Sequence, residues 1–232
     1  VDGCVFEGNG WASGDPNAQG GAISSSGALT IRRSEFVANT TGGNGGGAVS
    51  ASGALLIEDS LFLGNSAESD GGGAIRILGS GAVTRRIVNS TFSGNQVTVD
   101  SSNNDGGGAI AFVGLGAGTG LQVYNSTFAN NSTVQGGGGA IAFWSLAAPN
   151  FSSLSISSSI FAGNTSAGSP NELSASGDAS VTADYSLFQG HASAAAAGID
   201  SSSMALFGVD PLLGPVVDHG GPTRTRAPGS GS

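Results

Sequence analysis

Lysine is absent from all 232 residues, so the seven cationic side chains are all arginine. That absence removes whole classes of chemistry. A P-loop needs its lysine on the phosphates, and Schiff-base or serine–lysine catalysis needs an amine. With 16 acidic residues the formal net charge is −9, the wrong sign for gripping a phosphate backbone, and no nucleic-acid partner is expected. Cysteine occurs once, at Cys4, which excludes an internal disulfide and a zinc site of several thiolates. Histidine occurs only at His191 and His219, so no cofactor of the N/S-ligated kind is expected. Charged residues make up 10% and aromatics 6%, both low for an ordinary globular enzyme. No signal-peptide pattern and no apolar run long enough to span a bilayer is read in these residues, so membrane insertion of this segment is not expected. The chain reads as a mature product or an excised piece.

Glycine, by contrast, reaches 42 residues without a collagen-like period. Such a composition fits either disorder or a fold with many turns. Internal repetition decides for turns. "GGAISSSGALTIRRSEFVAN" (20–39) returns as "GGAVSASGALLIEDSLFLGN" (46–65) without a gap. Gly-Gly-Ala recurs with its alanine at Ala22, Ala48, Ala74, Ala109 and Ala140. Phe-x-x-Asn recurs at Phe6/Asn9, Phe36/Asn39, Phe62/Asn65, Phe92/Asn95, Phe128/Asn131 and Phe161/Asn164, with Phe188/His191 as a degenerate copy. The Phe spacing varies from 26 to 36 residues, so a constant core carries insertions.

Aligned on the Phe, each copy reads Leu-x-Ile, then a corner, then Ser-x-Phe. Leu-x-Ile alternates with period two and predicts a strand with one buried face. The three-residue step from Ile to Ser breaks that alternation at Asp59, Asn89 and Asn125, residue types that tolerate left-handed backbone. Short strands joined by Gly and Asx corners, at roughly 20–26 residues per turn, predict a solenoid in which each residue lies about 4.8 Å above its counterpart. Phe36, Phe62, Phe92, Phe128 and Phe161 then stack, and Asn39, Asn65, Asn95, Asn131 and Asn164 form an amide ladder. The fold expected is all-β: a parallel β-helix of about six to seven coils with Phe, Ile and Asn ladders. "HASAAAAGID" (191–200) is the one stretch suited to a single helical turn.

These alternating tetrapeptides resemble the repeats of chlamydial polymorphic outer-membrane proteins. "DPLLGPVVDHGGPTRT" (210–225) resembles the C-terminal segment of bacterial surface β-helix proteins of the choice-of-anchor Q type. The resemblance implies a right-handed helix and a secreted or surface-attached bacterial protein with adhesive or scaffolding roles. It supplies no catalytic residues.

Candidate sites are few. Asp70 and Asp105 precede successive Gly-Gly-Ala copies, and stacking would place them side by side as calcium ligands or as a carboxylate pair at the glycosidase separation of about 5–9.5 Å. Asp-Gly turn chemistry accounts for the same pattern. Trp11 and Trp144 are the candidate ligand contacts, since an exposed indole can stack on a sugar. Arg32-Arg33 and Glu58-Asp59 occupy equivalent corner positions and predict ion pairs between coils, which Arg76, Arg85 and Arg86 could extend. Cys4 falls in the Ser column and reads as a small inward residue. His191 and His219 read as structural.

The organisation expected is a β-helix over 1–208, a capping segment over 209–226 covering the C-terminal end, and a flexible tail over 227–232. The function expected is that of a non-enzymatic extracellular or cell-surface adhesin, stalk or filament subunit. Its partners are other surface proteins, glycans or copies of itself. The competing reading is a polysaccharide lyase, a glycoside hydrolase or a glycan-binding module.

Overall fold

The computed structural model describes residues 1–11, 15, 18–69, 71–99, 106–134, 136–146 and 152–230. In a representative coil the chain runs through four short strands, Val49–Ala51, Leu55–Glu58, Leu61–Leu63 and Ser66–Ala67. Each strand pairs in parallel with its counterparts one coil before and one coil after. The result is a β-solenoid of about six full coils walled by four sheets, of six, seven, eight and six strands. We call these the Gly-Gly-Ala, Leu-x-Ile, Phe and short-strand sheets. No helix occurs among the described residues. The stretch 192–199 instead forms overlapping turns, one of them the helix-like Ala197 N–H to Ser193 O bond.

The corners follow from backbone sterics. Arg33, Asp59, Asn89, Asn125, Ser158, Tyr185 and Met204 all take φ between 45° and 56° where the Leu-x-Ile strand turns into the Phe strand. Asp59, Asn89 and Asn125 enter this region at low cost, and the same corner imposes it on Arg33, Ser158, Tyr185 and Met204. The Ser that follows ties the corner down. Ser60 Oγ donates to Glu58 O at 2.7 Å and accepts the N–H of Ser34 from the preceding coil at 3.3 Å. Gly-Gly is required for close approach: a Cβ on Gly47 would fall 2.0 Å from Gly73 O.

The interior is a set of columns. Phe6 to Phe188 stack with ring centroids 4.7–4.9 Å apart, and Phe36 through Phe188 are fully buried. Each such ring removes enough apolar surface from water to contribute about 2–3 kcal/mol. Ile31, Ile57, Ile87, Val123 and Ile156 form a second in-register column. Phe112 and Phe143 add a short extra stack at 4.5 Å.

Residues 209–229 leave the coil and form a hairpin. Val217 and Thr225 exchange two backbone hydrogen bonds at 3.0 Å, and Gly214 N–H donates to Ala227 O at 2.9 Å. Arg226 pins the arms from within, its Nε donating to Gly214 O at 2.7 Å. The expected cover over the C-terminal end is therefore a strap along the flank. Its tip reaches the early coils, where Thr223 Oγ1 donates to Asp59 O at 3.1 Å and Arg224 Nη2 meets Glu35 Oε2 at 2.6 Å. Leu61, the outward neighbour of Glu35, is left with no exposed surface. The supposed tail also takes part, since Gly229 N–H donates to Leu212 O at 2.8 Å; residues 231 and 232 lie outside the described set. At the C-terminal end, Ala194, Ala197 and Ile199 of the Ala-rich turn pack against the core.

Candidate functional site

The chemistry most particular to this chain lies along the Asn column. Each Asn follows a left-handed residue (Ala38, Gly64, Gly94, Asn130 or Gly163) that swings its side chain inward. Asn39, Asn65, Asn95, Asn131 and Asn164 have no exposed surface. In each coil the Oδ1 accepts two bonds from the coil before, from the Asn backbone N–H at 3.0 Å and from its Nδ2 at 2.8–2.9 Å. Nδ2 also donates to a Phe carbonyl, as Asn95 does to Phe62 O at 3.0 Å. Every amide group is thereby satisfied in the dry interior, where an unpaired one would cost about 1–3 kcal/mol.

The ladder ends on a residue that the recurring tetrapeptides do not mark. After Asn164 the short-strand sheet stops, because Thr165–Ser166 folds back antiparallel onto Ser169–Pro170 through Ala167 and Gly168. The chain then re-enters the Gly-Gly-Ala sheet with Leu173 paired to Ile141, which puts Glu172 in the alanine column. Its backbone behaves as an alanine's would: Glu172 O accepts from Ala140 and Ile141. Its side chain is longer and reaches the place of the next ladder amide. There one carboxylate oxygen accepts Asn164 Nδ2 and the other accepts Gly190 N–H at 2.9 Å. His191, at the Asn position of the next coil, does not join the amide ladder. Its Nε2 accepts the Glu172 N–H at 3.0 Å, which places the proton of the neutral ring on Nδ1.

Burial sets the electrostatics of this cluster. Glu172 is fully buried, and desolvation pushes its pKa up to about 7 against the opposing pull of the Asn164 and Gly190 hydrogen bonds. Desolvation likewise holds His191 below the usual imidazole value. A cavity of about 250 Å³ lined by Gly163, Thr165, Pro170 and Gln189 adjoins Glu172. A raised carboxyl beside a cavity is a common mark of acid–base chemistry. Here both carboxylate oxygens and the imidazole lone pair are spent on hydrogen bonds that close the coil. The signal for Glu172 was present in the sequence: aligning Leu173 with the Ile of Gly-Gly-Ala-Ile reads Asn-Glu-Leu in its place.

The other expected residues are scattered. Asp70 and Asp105 lie outside the described residues, and among the described ones no three His, Cys, Asp or Glu gather into a metal-holding group. Trp11 is 55% exposed, with its indole N–H directed to Gly20 O at 3.3 Å. Trp144 is half-buried on the outer face of the Gly-Gly-Ala sheet, on the fifth strand of that sheet. The two indoles therefore serve different coils and form no common site. Cys4 keeps the Ser column, its N–H donating to Ser34 Oγ, but it is exposed rather than inward.

The corner ion pairs divide. Arg32 and Glu58 meet at 2.6 Å as their register requires, whereas Arg33 turns to Asp2 instead of Asp59. Arg85 does not extend that face. It occupies the Leu55 column and points inward, fully buried, its guanidinium donating to the carbonyls of Ser80 at 3.0 Å, Ser52 at 3.3 Å and Gly81 and Val83 at 3.4 Å. Burial lowers its pKa, and the turn carbonyls stand in for a counter-ion. No family model matches the chain, and no curated protein or solved structure matches it.

Proposed function

We propose that this chain is a rigid, non-enzymatic structural module of an extracellular or cell-surface protein, serving as an adhesin shaft, stalk or filament subunit. The observation that carries this reading is the unbroken amide ladder from Asn9 to Asn164, closed on Glu172. A solenoid held only by strand pairing could bend between coils. One whose interior is cross-tied by buried amides at every step resists bending, because each opened step strands polar groups away from water. The flank hairpin adds a tie along the axis, from the last coils back to Glu35 and Asp59. The polymorphic and choice-of-anchor resemblances, and the acidic, lysine-free composition, support placing it outside the cell.

Two experiments test this reading. Nitroxides at Arg32→Cys and Ser203→Cys, in a Cys4→Ser background, stand on one column six coil steps apart, about 29 Å. A rigid spacer gives one narrow distance near that value, and a broad or multimodal distribution contradicts it. Incubation with a panel of polysaccharides is expected to release no new reducing ends. Cleavage that disappears in both Asp70→Asn and Asp105→Asn would overturn the reading in favour of an enzyme.

A further inference from the structure

We propose that the outer face of the Leu-x-Ile sheet is a binding trough for an extended, carboxylate-bearing glycan, with Arg86 as the group that recognises its charge. The trough has two lobes. One, of about 420 Å³, lies over the small residues Ala28 and Ala54 beside Thr30 and Leu56. The other, of about 280 Å³, lies beneath the turn at Ala82–Thr84, beside Gln122 and Ser153. Thr84 and Arg86 line both, so Arg86 stands between the two lobes. Its column, from Thr30 through Leu56, Arg86 and Gln122 to Ser155, covers four coil steps or about 19 Å, long enough for an extended polymer.

Arg86 differs in what holds it from five of the other arginines. Arg32, Arg33 and Arg224 each meet a carboxylate, and Arg85 and Arg226 are spent on backbone carbonyls. Arg86 is held by neutral groups. Its Nε donates to Gln122 Oε1 at 3.1 Å, and its guanidinium lies 5.7 Å from the ring centroid of Tyr124. These contacts fix the plane of the group and leave the two terminal nitrogens, the edge that pairs with a carboxylate. An exposed, oriented cation with no acid partner among the described residues marks a local site for an anion.

The surroundings choose the polymer. Hydroxyls and an amide (Thr30, Thr84, Gln122, Ser153) suit a hydroxyl-rich ligand, and the alanine floor admits a flat ring. An acidic peptide would bind best by adding a strand. The strands beneath the trough from Leu55–Glu58 to Gly120–Tyr124 are already paired on both sides and offer it no edge.

Affinity electrophoresis of the intact chain tests the site, with polygalacturonate, its fully methyl-esterified form and polyglutamate as gel additives. Retardation is expected in polygalacturonate alone. Arg86→Gln should weaken it about tenfold or more, and Ala54→Glu, which sets a like charge in the trough, should abolish it. Equal retardation by the ester or by polyglutamate overturns the proposal, as does an Arg86→Gln variant that keeps its strand spectrum and binds as the wild type does. If Arg86→Gln fails to fold, undiminished binding by Ala54→Glu overturns it instead. Absence of wild-type retardation sinks the trough and leaves the rod untouched, since a spacer that binds no acidic glycan is still a spacer.

Discussion

Asn164 gives its side-chain amide to the carboxylate of Glu172, and the ladder that begins at Asn9 ends there. The contact joins two columns that are separate in every earlier coil, the inward amides and the inward alanines. A one-residue change in the alanine column thus supplies the last acceptor at the point where the short-strand sheet has already turned back.

The first prediction concerns the ladder interior. Asn95→Ala removes the acceptor of both the Asn65 N–H and the Asn65 Nδ2, and leaves Phe62 O and Asn131 Oδ1 short of a donor. A loss of about 3–5 kcal/mol in unfolding free energy is expected by urea titration. Asn130→Gly, one residue from the ladder at φ 57°, should be neutral or slightly stabilising by the same measurement.

The second concerns pH. Glu172 has a folded pKa of about 7 against an ordinary value of 4.5, so the folded state holds the extra proton between them. Its stabilising contribution is full below 4.5 and is lost as pH rises through 7, on the order of 3 kcal/mol across that window. His191 works the other way: its lowered pKa makes stability fall as pH drops below 6.5. Urea midpoints should therefore show opposing slopes that separate by mutation. His191→Asn leaves only the decline with rising pH, and Glu172→Gln leaves only the loss on acidification. A wild-type slope that survives both changes would contradict the assignment.

The third concerns Arg85. Arg85→Leu restores the apolar column and removes a buried charge, so stability should change by less than about 1 kcal/mol or improve. The turn at 80–84 loses its donor and should exchange its amides faster. Arg85→Ala leaves both a cavity and unpaired carbonyls and should cost about 2–4 kcal/mol. Thermal unfolding with hydrogen exchange separates the two.

The fourth concerns the strap. Arg224 holds Glu35 below the usual carboxylate range through its side-chain hydrogen bonds. The arginine is 40% exposed, so a double-mutant cycle with Glu35→Ala and Arg224→Ala should give a coupling of only about 0.5–1 kcal/mol. Deleting 209–230 is a larger change. It uncovers Leu61 on the Phe sheet and should produce self-association in light scattering.

Much of this architecture was legible because a solenoid repeats its side chains at fixed offsets. Phe36, Ile31 and Asn39 mean the same thing in every coil, so columns could be read without any structure. Where one coil departs from the columns, legibility failed. Arg85 sits in a leucine column yet reads in sequence as a surface charge, and Glu172 sits in an alanine column under a motif that no longer reads Gly-Gly-Ala. The strap was misplaced for a different reason. Thr223 and Asp59 are 164 residues apart, and no local periodicity encodes such a contact. A trace existed all the same. Leu61, Ile160 and Leu187 point outward on the Phe sheet, where polar residues would stand if that face met water.

Side-chain amide hydrogen exchange, read by nitrogen-15 NMR on Asn39, Asn65, Asn95, Asn131 and Asn164, tests the central claim most directly. If the ladder is one continuous tie, all five amides exchange slowly and with a common protection factor, lost together at the global unfolding transition. Protection that is absent, or that falls away coil by coil from either end, would show a stack of loosely joined turns and contradict the rigid rod.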